Sequence, residues 1–226
     1  MLKRDQLYKD ILDGLSLFYK SRFINDVRNT ALHFPIPTLG FALNRKQTTS
    51  KLWLLDKLFE CYGGNLGSVY ILGGWYCVLG ALIFHDPRFK VIKVISIDLN
   101  PNCAPIANSL NATSSAMGVF EPLTADILNM KYGETEISID NQSFPPPSIL
   151  INTSCEHIAD FSTWFKSLPN NVLLVLQSNN YFSEPEHVNS VPNLSAFKQL
   201  APLGSILYEG ALELDKYTRF MLIGEK

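Results

Sequence analysis

The 226-residue sequence predicts an α/β fold in which a mostly parallel β-sheet is covered by helices on both faces and closed by an antiparallel pair of strands. Three observations predict it. From about residue 66 onward, short apolar segments rich in β-branched residues alternate with stretches of helical spacing. The uncharged stretch from Ser68 to Phe84, SVYILGGWYCVLGALIF, divides at Gly73-Gly74 into a strand-like half and a half of helix length. Finally, residues 206–213 and 217–223 lie too close together for a helix to join them, so they pair antiparallel.

The elements follow in order. Leu7, Ile11, Leu15 and Phe18 recur at helical spacing and predict an amphipathic helix over residues 5–20. Residues 31–47 hold two prolines and a glycine and read as an irregular arm. A second helix is expected from the hydroxyl-bearing residues 48–50, which offer caps, through LWLLDKLFECY, ending at Gly63-Gly64. Residues 69–72 form the first strand, and residues 75–84 the helix behind the glycine turn. Residues 91–97 are a β-branched strand closed by Asp98, and Pro101 opens a helix running to about Leu110. Residues 119–123 and 149–152 are the third and fourth strands, 161–168 a short helix, and 172–176 a fifth strand apolar enough for a sheet centre.

Composition narrows the function classes. With 46% apolar and 18% charged residues, the chain can bury a large core. A net charge of −2 lacks the basic excess of a dedicated nucleic-acid binder. Cys61, Cys77, Cys103 and Cys155 include no CxxC pair, and their apolar surroundings suit reduced thiols and a cytoplasmic location. No metal site is expected. The wider uncharged run from Cys61 to Phe84 is not read as a membrane span: Gly63, Gly64, Gly67, Gly73 and Gly74 crowd its first half, and no Lys/Arg cluster flanks it.

In an open parallel sheet, ligands bind at the carboxyl ends of the strands. After the first strand, Gly73-Gly74-Trp75-Tyr76 offers a turn that a ligand can approach closely. After the second, Asp98 is placed to accept ribose hydroxyls, or to cap the next helix. After the third, Asp126 is placed to accept from a purine amine while Ile127 packs on the ring, and it also reads as an ordinary loop aspartate. After the fourth come Asn152, Thr153, Ser154, Cys155, Glu156 and His157. Glu156 and His157 are candidate general bases, of which only one can enter a given pocket if the backbone is extended. After the fifth, Gln177, Asn179 and Tyr181 suit a polar substrate, in a loop that continues through Glu184, Glu186 and His187.

Together these residues resemble the class I S-adenosylmethionine-dependent methyltransferase family, over about residues 66–223. The resemblance implies a Rossmann-like three-layer sandwich with a seven-stranded sheet, its last strand antiparallel, behind an N-terminal helical cap or arm at residues 1–65. It also implies S-adenosylmethionine as cofactor, with its methionine end over Gly73, Gly74, Trp75 and Tyr76. Asp98 and Leu99 would hold the ribose, and Asp126 and Ile127 the adenine. Asn152 to His157 would face the transferred methyl group. The motif departs from the family at three places: Ile71 stands where an acid is usual, and Trp75 and Cys77 where later glycines fall. The arm carrying Asn44, Arg45, Gln47 and Lys51 is therefore expected to fold over the site and meet the cofactor's amino-acid end. The acceptor is unidentified; a small molecule or protein is favoured over nucleic acid. A nicotinamide-dependent oxidoreductase, a non-methyl S-adenosylmethionine enzyme and a non-catalytic binding module are the rival readings. The first lacks GxGxxG and has no use for Asp126.

Overall fold

The computed structural model describes residues 2–226. Helices α1 (Leu2–Tyr19), α2 (Arg22–His33), α3 (Ile36–Ala42) and α4 (Arg45–Tyr62) come first. They are followed by β1 (Asn65–Leu72), α5 (Val78–His85), β2 (Lys90–Asp98), α6 (Cys103–Leu110), α7 (Ala112–Ala116) and β3 (Phe120–Thr124). A small antiparallel sheet, β4 (Lys131–Tyr132), β5 (Ile137–Ile139) and β6 (Gln142–Phe144), precedes β7 (Ile149–Asn152). Then come α8 (Phe161–Ser167), β8 (Leu173–Asn179), α9 (Leu194–Leu200), β9 (Ser205–Leu214) and β10 (Tyr217–Glu225).

The main sheet has seven strands in the order β3-β2-β1-β7-β8-β10-β9. β3, β2, β1, β7 and β8 run parallel, and β10 lies antiparallel between β8 and β9. This is the expected Rossmann-like three-layer sandwich. Its strands are apolar on both sides because each side packs on a different layer. Val69, Ile71, Ile149, Ile151, Leu173 and Val175 face Leu54, Leu55 and Leu58 of α4 and Leu79 and Ile83 of α5. The alternate residues Tyr70, Leu72, Leu150, Leu174 and Leu176 face Phe161, Trp164 and Phe165 of α8 and Phe197 of α9. The lack of charge in Ser68–Phe84 thus follows from burial on two faces. Among the described residues, no helix is long and apolar enough to cross a membrane.

The structure departs from the sequence reading in four places. Residues 31–47 are helical for most of their length, since Pro35 and Pro37 sit at the start of α3, where proline is tolerated. Helix α4 starts at Arg45 rather than at the hydroxyl residues, because Asn44 caps it by accepting the Gln47 N–H at 3.0 Å. Helix α5 begins only at Val78, since Cys77 takes a left-handed conformation that interrupts the helix. In α1 the spacing is helical, but Leu7, Ile11, Leu15 and Phe18 are exposed, and Leu12 makes the packing contacts.

Candidate active site

The sheet order changes direction at β1, with β2 on one side and β7 on the other. A cavity of about 980 Å³ opens there, at the carboxyl ends of β1, β2, β7 and β8 and against the first turns of α4. It is lined by the residues named above for the cofactor and the methyl-facing segment, except the buried Cys155 and, from the arm, Asn44 and Arg45.

The turn after β1 is tight. The Gly74 N–H donates to the Ile97 carbonyl at 2.9 Å, and a Cβ on Gly74 would lie 2.2 Å from Ser96 Oγ. Gly73 has φ +66°, and Trp75 and Cys77 have φ 50° and 49°. The two positions where the resembled family carries glycine therefore keep a glycine-like backbone here without glycine. The Trp75 N–H donates to Asp98 Oδ2 at 2.7 Å, and its ring stacks on Tyr76 with centroids 4.6 Å apart. Asp98 Oδ1 accepts from the Asn100 N–H at 3.0 Å. The carboxylate thus fixes two loops and still lines the cavity. Asp98 does not cap α6, which starts later, at Cys103. Asp126 is held by the Leu128 N–H at 2.9 Å.

Gln47 and Lys51, one turn apart on α4, both reach the cavity, and Lys51 Nζ donates to Gln47 Oε1 at 2.8 Å. Burial, then the nearby positive charge of Arg219, lowers the Lys51 pKa from 10.5 to about 7. Burial raises the Cys77 thiol to about 11, so it is neutral at physiological pH.

The segment after β7 is not extended. Cys155–His157 forms one 3₁₀ turn, so Glu156 and His157 both line the cavity despite being neighbours in sequence. Asn152 Oδ1 accepts from the Ser154 N–H at 2.7 Å and shapes that turn. Glu156 is 2% exposed. One of its oxygens accepts from Asn179 Nδ2 at 2.5 Å and lies 3.6 Å from Arg219 Nη2, while Oε2 has no partner. Arg219 also donates to the Thr153 carbonyl at 2.6 Å.

Asn179 and Tyr181 line the cavity as expected, but Gln177 does not. It is fully buried one residue pair below the strand end, where α4 covers it and its Oε1 accepts from Ser50 Oγ at 3.1 Å. Two further residues line the cavity: Arg219, which the sequence reading did not name, and His187, which it named only as part of the loop after the fifth strand. Arg219 sits in YTRFMLIGE directly before the buried apolar run FMLI, and a charge inside a buried strand was its signal. His187 stands 30 positions from His157, yet one ring nitrogen of each and a carboxylate oxygen of Glu156 lie within 4.8 Å of one another. No sequence spacing announces that cluster.

The fold is that of class I S-adenosylmethionine-dependent methyltransferases. Among the solved structures similar to this chain is the N-methyltransferase NodS from Bradyrhizobium japonicum WM9. It is 12% identical with a TM-score of 0.56, covering 82% of this chain and 99% of that one. The same NodS in complex with S-adenosyl-L-homocysteine matches at 11% identity with a TM-score of 0.57, covering 81% and 90%. The geranyl diphosphate C-methyltransferase from Streptomyces coelicolor A3(2), solved with Mg2+, geranyl diphosphate and S-adenosyl-L-homocysteine, matches at 10% identity with a TM-score of 0.55 and 81% coverage of each chain. No protein-family model and no curated protein sequence matches the chain.

Proposed function

We propose that this protein is a cytoplasmic S-adenosylmethionine-dependent methyltransferase acting on a small-molecule acceptor. The observation that supports it most is that one cavity is lined together by the glycine turn, Asp98, Asp126 and residues of the Asn152–His157 segment. At about 980 Å³ it lies at the upper end of the ~300–1,000 Å³ usual for small-molecule sites, enough for a nucleoside cofactor with a second small molecule beside it. In this reading Asp98 accepts from the ribose hydroxyls, and Asp126 from the adenine amine, with Ile127 against the ring. The cofactor's carboxylate meets Lys51 and Gln47, and its sulfonium end lies over Gly73–Tyr76.

The reaction is a displacement. An acceptor lone pair attacks the methyl carbon, the carbon–sulfur bond breaks, and sulfur takes the electron pair to give neutral S-adenosylhomocysteine. The leaving group is already good, so holding the acceptor in line with the methyl group does most of the work. Glu156 and His157 stand at the acceptor end, beside Asn179 and Tyr181, where the acceptor's proton must be met.

Calorimetry with S-adenosylhomocysteine and, separately, with nicotinamide dinucleotides tests this reading. Saturable binding of the first alone is expected. Asp98→Asn should weaken it about 10- to 100-fold, the worth of hydrogen bonds to a charged acceptor. Transfer of label from methyl-labelled cofactor to a component of a small-molecule extract then distinguishes an enzyme from a binding module. A protein that binds no S-adenosyl compound would sink the proposal.

A further inference from the structure

The cluster Glu156, His157 and His187 joins two segments that the chain holds rigidly together. The Asn189 N–H donates to the Glu156 carbonyl at 2.8 Å, and Asn189 Nδ2 to the Ile158 carbonyl at 2.9 Å. His187 Nδ1 lies 2.9 Å from the Tyr181 carbonyl. A carbonyl only accepts, so Nδ1 is the donor and Nε2 is the nitrogen left for another contact. A hydrogen bond from the far ring nitrogen to a backbone carbonyl is how metal-binding imidazoles are commonly oriented. The His157 and His187 rings pack edge to face with centroids 4.7 Å apart. Glu156 supplies an independent observation: its side chain is buried, faces the cavity and has one oxygen without any hydrogen-bond partner. A buried carboxylate oxygen without a partner is open to a further donor or to a cation. Arg219 and Asn179 occupy only the other oxygen.

We propose that Glu156, His157 and His187 bind one divalent transition-metal ion. Two imidazole nitrogens and one carboxylate oxygen suit Zn2+, Co2+ or a similar ion rather than Mg2+ or Ca2+, which prefer all-oxygen sets. Three protein ligands leave a coordination position open to the cavity. There an acceptor hydroxyl would bind and lose its proton to solvent at lower pH than when free. Its oxygen would then form the new bond to the methyl carbon as the sulfonium bond breaks. This role rests on the methyl-transfer reading; the metal site itself does not. It identifies the acceptor as a ligand with a coordinating oxygen, and makes Glu156 and His157 act through the metal.

The test uses the full, tag-free chain after treatment with chelator and dialysis, titrated with Zn2+ by calorimetry and with Co2+ by visible absorption. One saturable equivalent is expected. His157→Ala and His187→Ala should each weaken it at least 10-fold, the glutamine replacements should behave alike, and His33→Ala, on the exposed end of α2, should bind as the parent does. Metal-free variants are compared with the parent by thermal unfolding, so that a misfolded protein is not read as lost ligation. Absence of saturable binding, or equal binding by all variants, overturns the proposal. The same samples are titrated with S-adenosylhomocysteine. Nucleoside binding without metal binding refutes the metal site and leaves methyl transfer standing, and metal binding without nucleoside binding does the reverse.

Discussion

Lys51 offers the sharpest quantitative test of how the cofactor's amino-acid end is held. Its pKa falls from 10.5 to about 7, chiefly by burial and then by the charge of Arg219. At ~1.4 kcal/mol per unit, holding Lys51 charged in the empty site costs about 5 kcal/mol. Between pH 7 and 10.5 the unfolded chain binds a proton that the folded one lacks, so folding stability rises with pH across that window. A bound carboxylate reverses the shift by supplying the missing counter-charge. Binding S-adenosylhomocysteine at pH 8, where a group of pKa 7 is about 90% neutral, should therefore take up about 0.9 proton at Lys51. Affinity should fall about 50-fold from pH 7 to pH 9. Calorimetry in buffers of different ionisation heat counts the proton, and Lys51→Met should abolish that part of the uptake and flatten the pH profile. The ligand's own amino group titrates equally in both proteins, so the difference between them isolates Lys51. Equal proton uptake by the parent and the variant would refute the assignment.

Two further outcomes follow from the packing around the turn and the buried ion pair. Gly74→Ala drives a methyl group to 2.2 Å from Ser96 Oγ and should destabilise by about 1–3 kcal/mol in denaturant unfolding; adding Ser96→Ala should recover most of it, because the serine oxygen is the atom struck. Arg219→Met leaves the Glu156 carboxylate buried with Asn179 alone and should cost about 3–5 kcal/mol, which Glu156→Gln in the same chain should largely restore. A stable Arg219→Met protein, or a double variant no better than the single, contradicts that account.

The parts of the fold legible in the sequence are those that burial on two faces dictates. Strands such as SILIN and VLLVL are apolar throughout because helices cover both sides, and the residues just past their ends had to meet at one edge of the sheet. That logic placed Asp98, Asp126 and Asn152 in one cavity. It could not place Gln177, whose depth below the strand end depends on how far α4 overhangs it. Nor could it pair Glu156 with Arg219 or His157 with His187, contacts made by a strand order and a loop path that no local spacing encodes. The small sheet β4-β5-β6 went unread because its strands are only two or three residues long.

The three departures from the resembled motif have different physical meanings. At Trp75 and Cys77 the side chains are not glycine, yet both residues are left-handed, at a cost of roughly 1–2 kcal/mol each. That strain is offset locally. Trp75 is tied to Asp98 and stacked on Tyr76. The fully buried Cys77 donates its N–H to the Gly74 carbonyl and accepts from Asn111 Nδ2 at 3.2 Å. The turn is thus preserved by contacts in place of conformational freedom. Ile71 is another matter. It is 2% exposed and lines the cavity, but its hydrocarbon side chain offers a ligand no charge. What the cavity has instead is Lys51, delivered from α4. A zwitterion presents two charges, and an acid beside β1 would read the ammonium. On the proposed reading this site reads the carboxylate, so the loss at Ile71 and the desolvated lysine are two sides of one change in recognition.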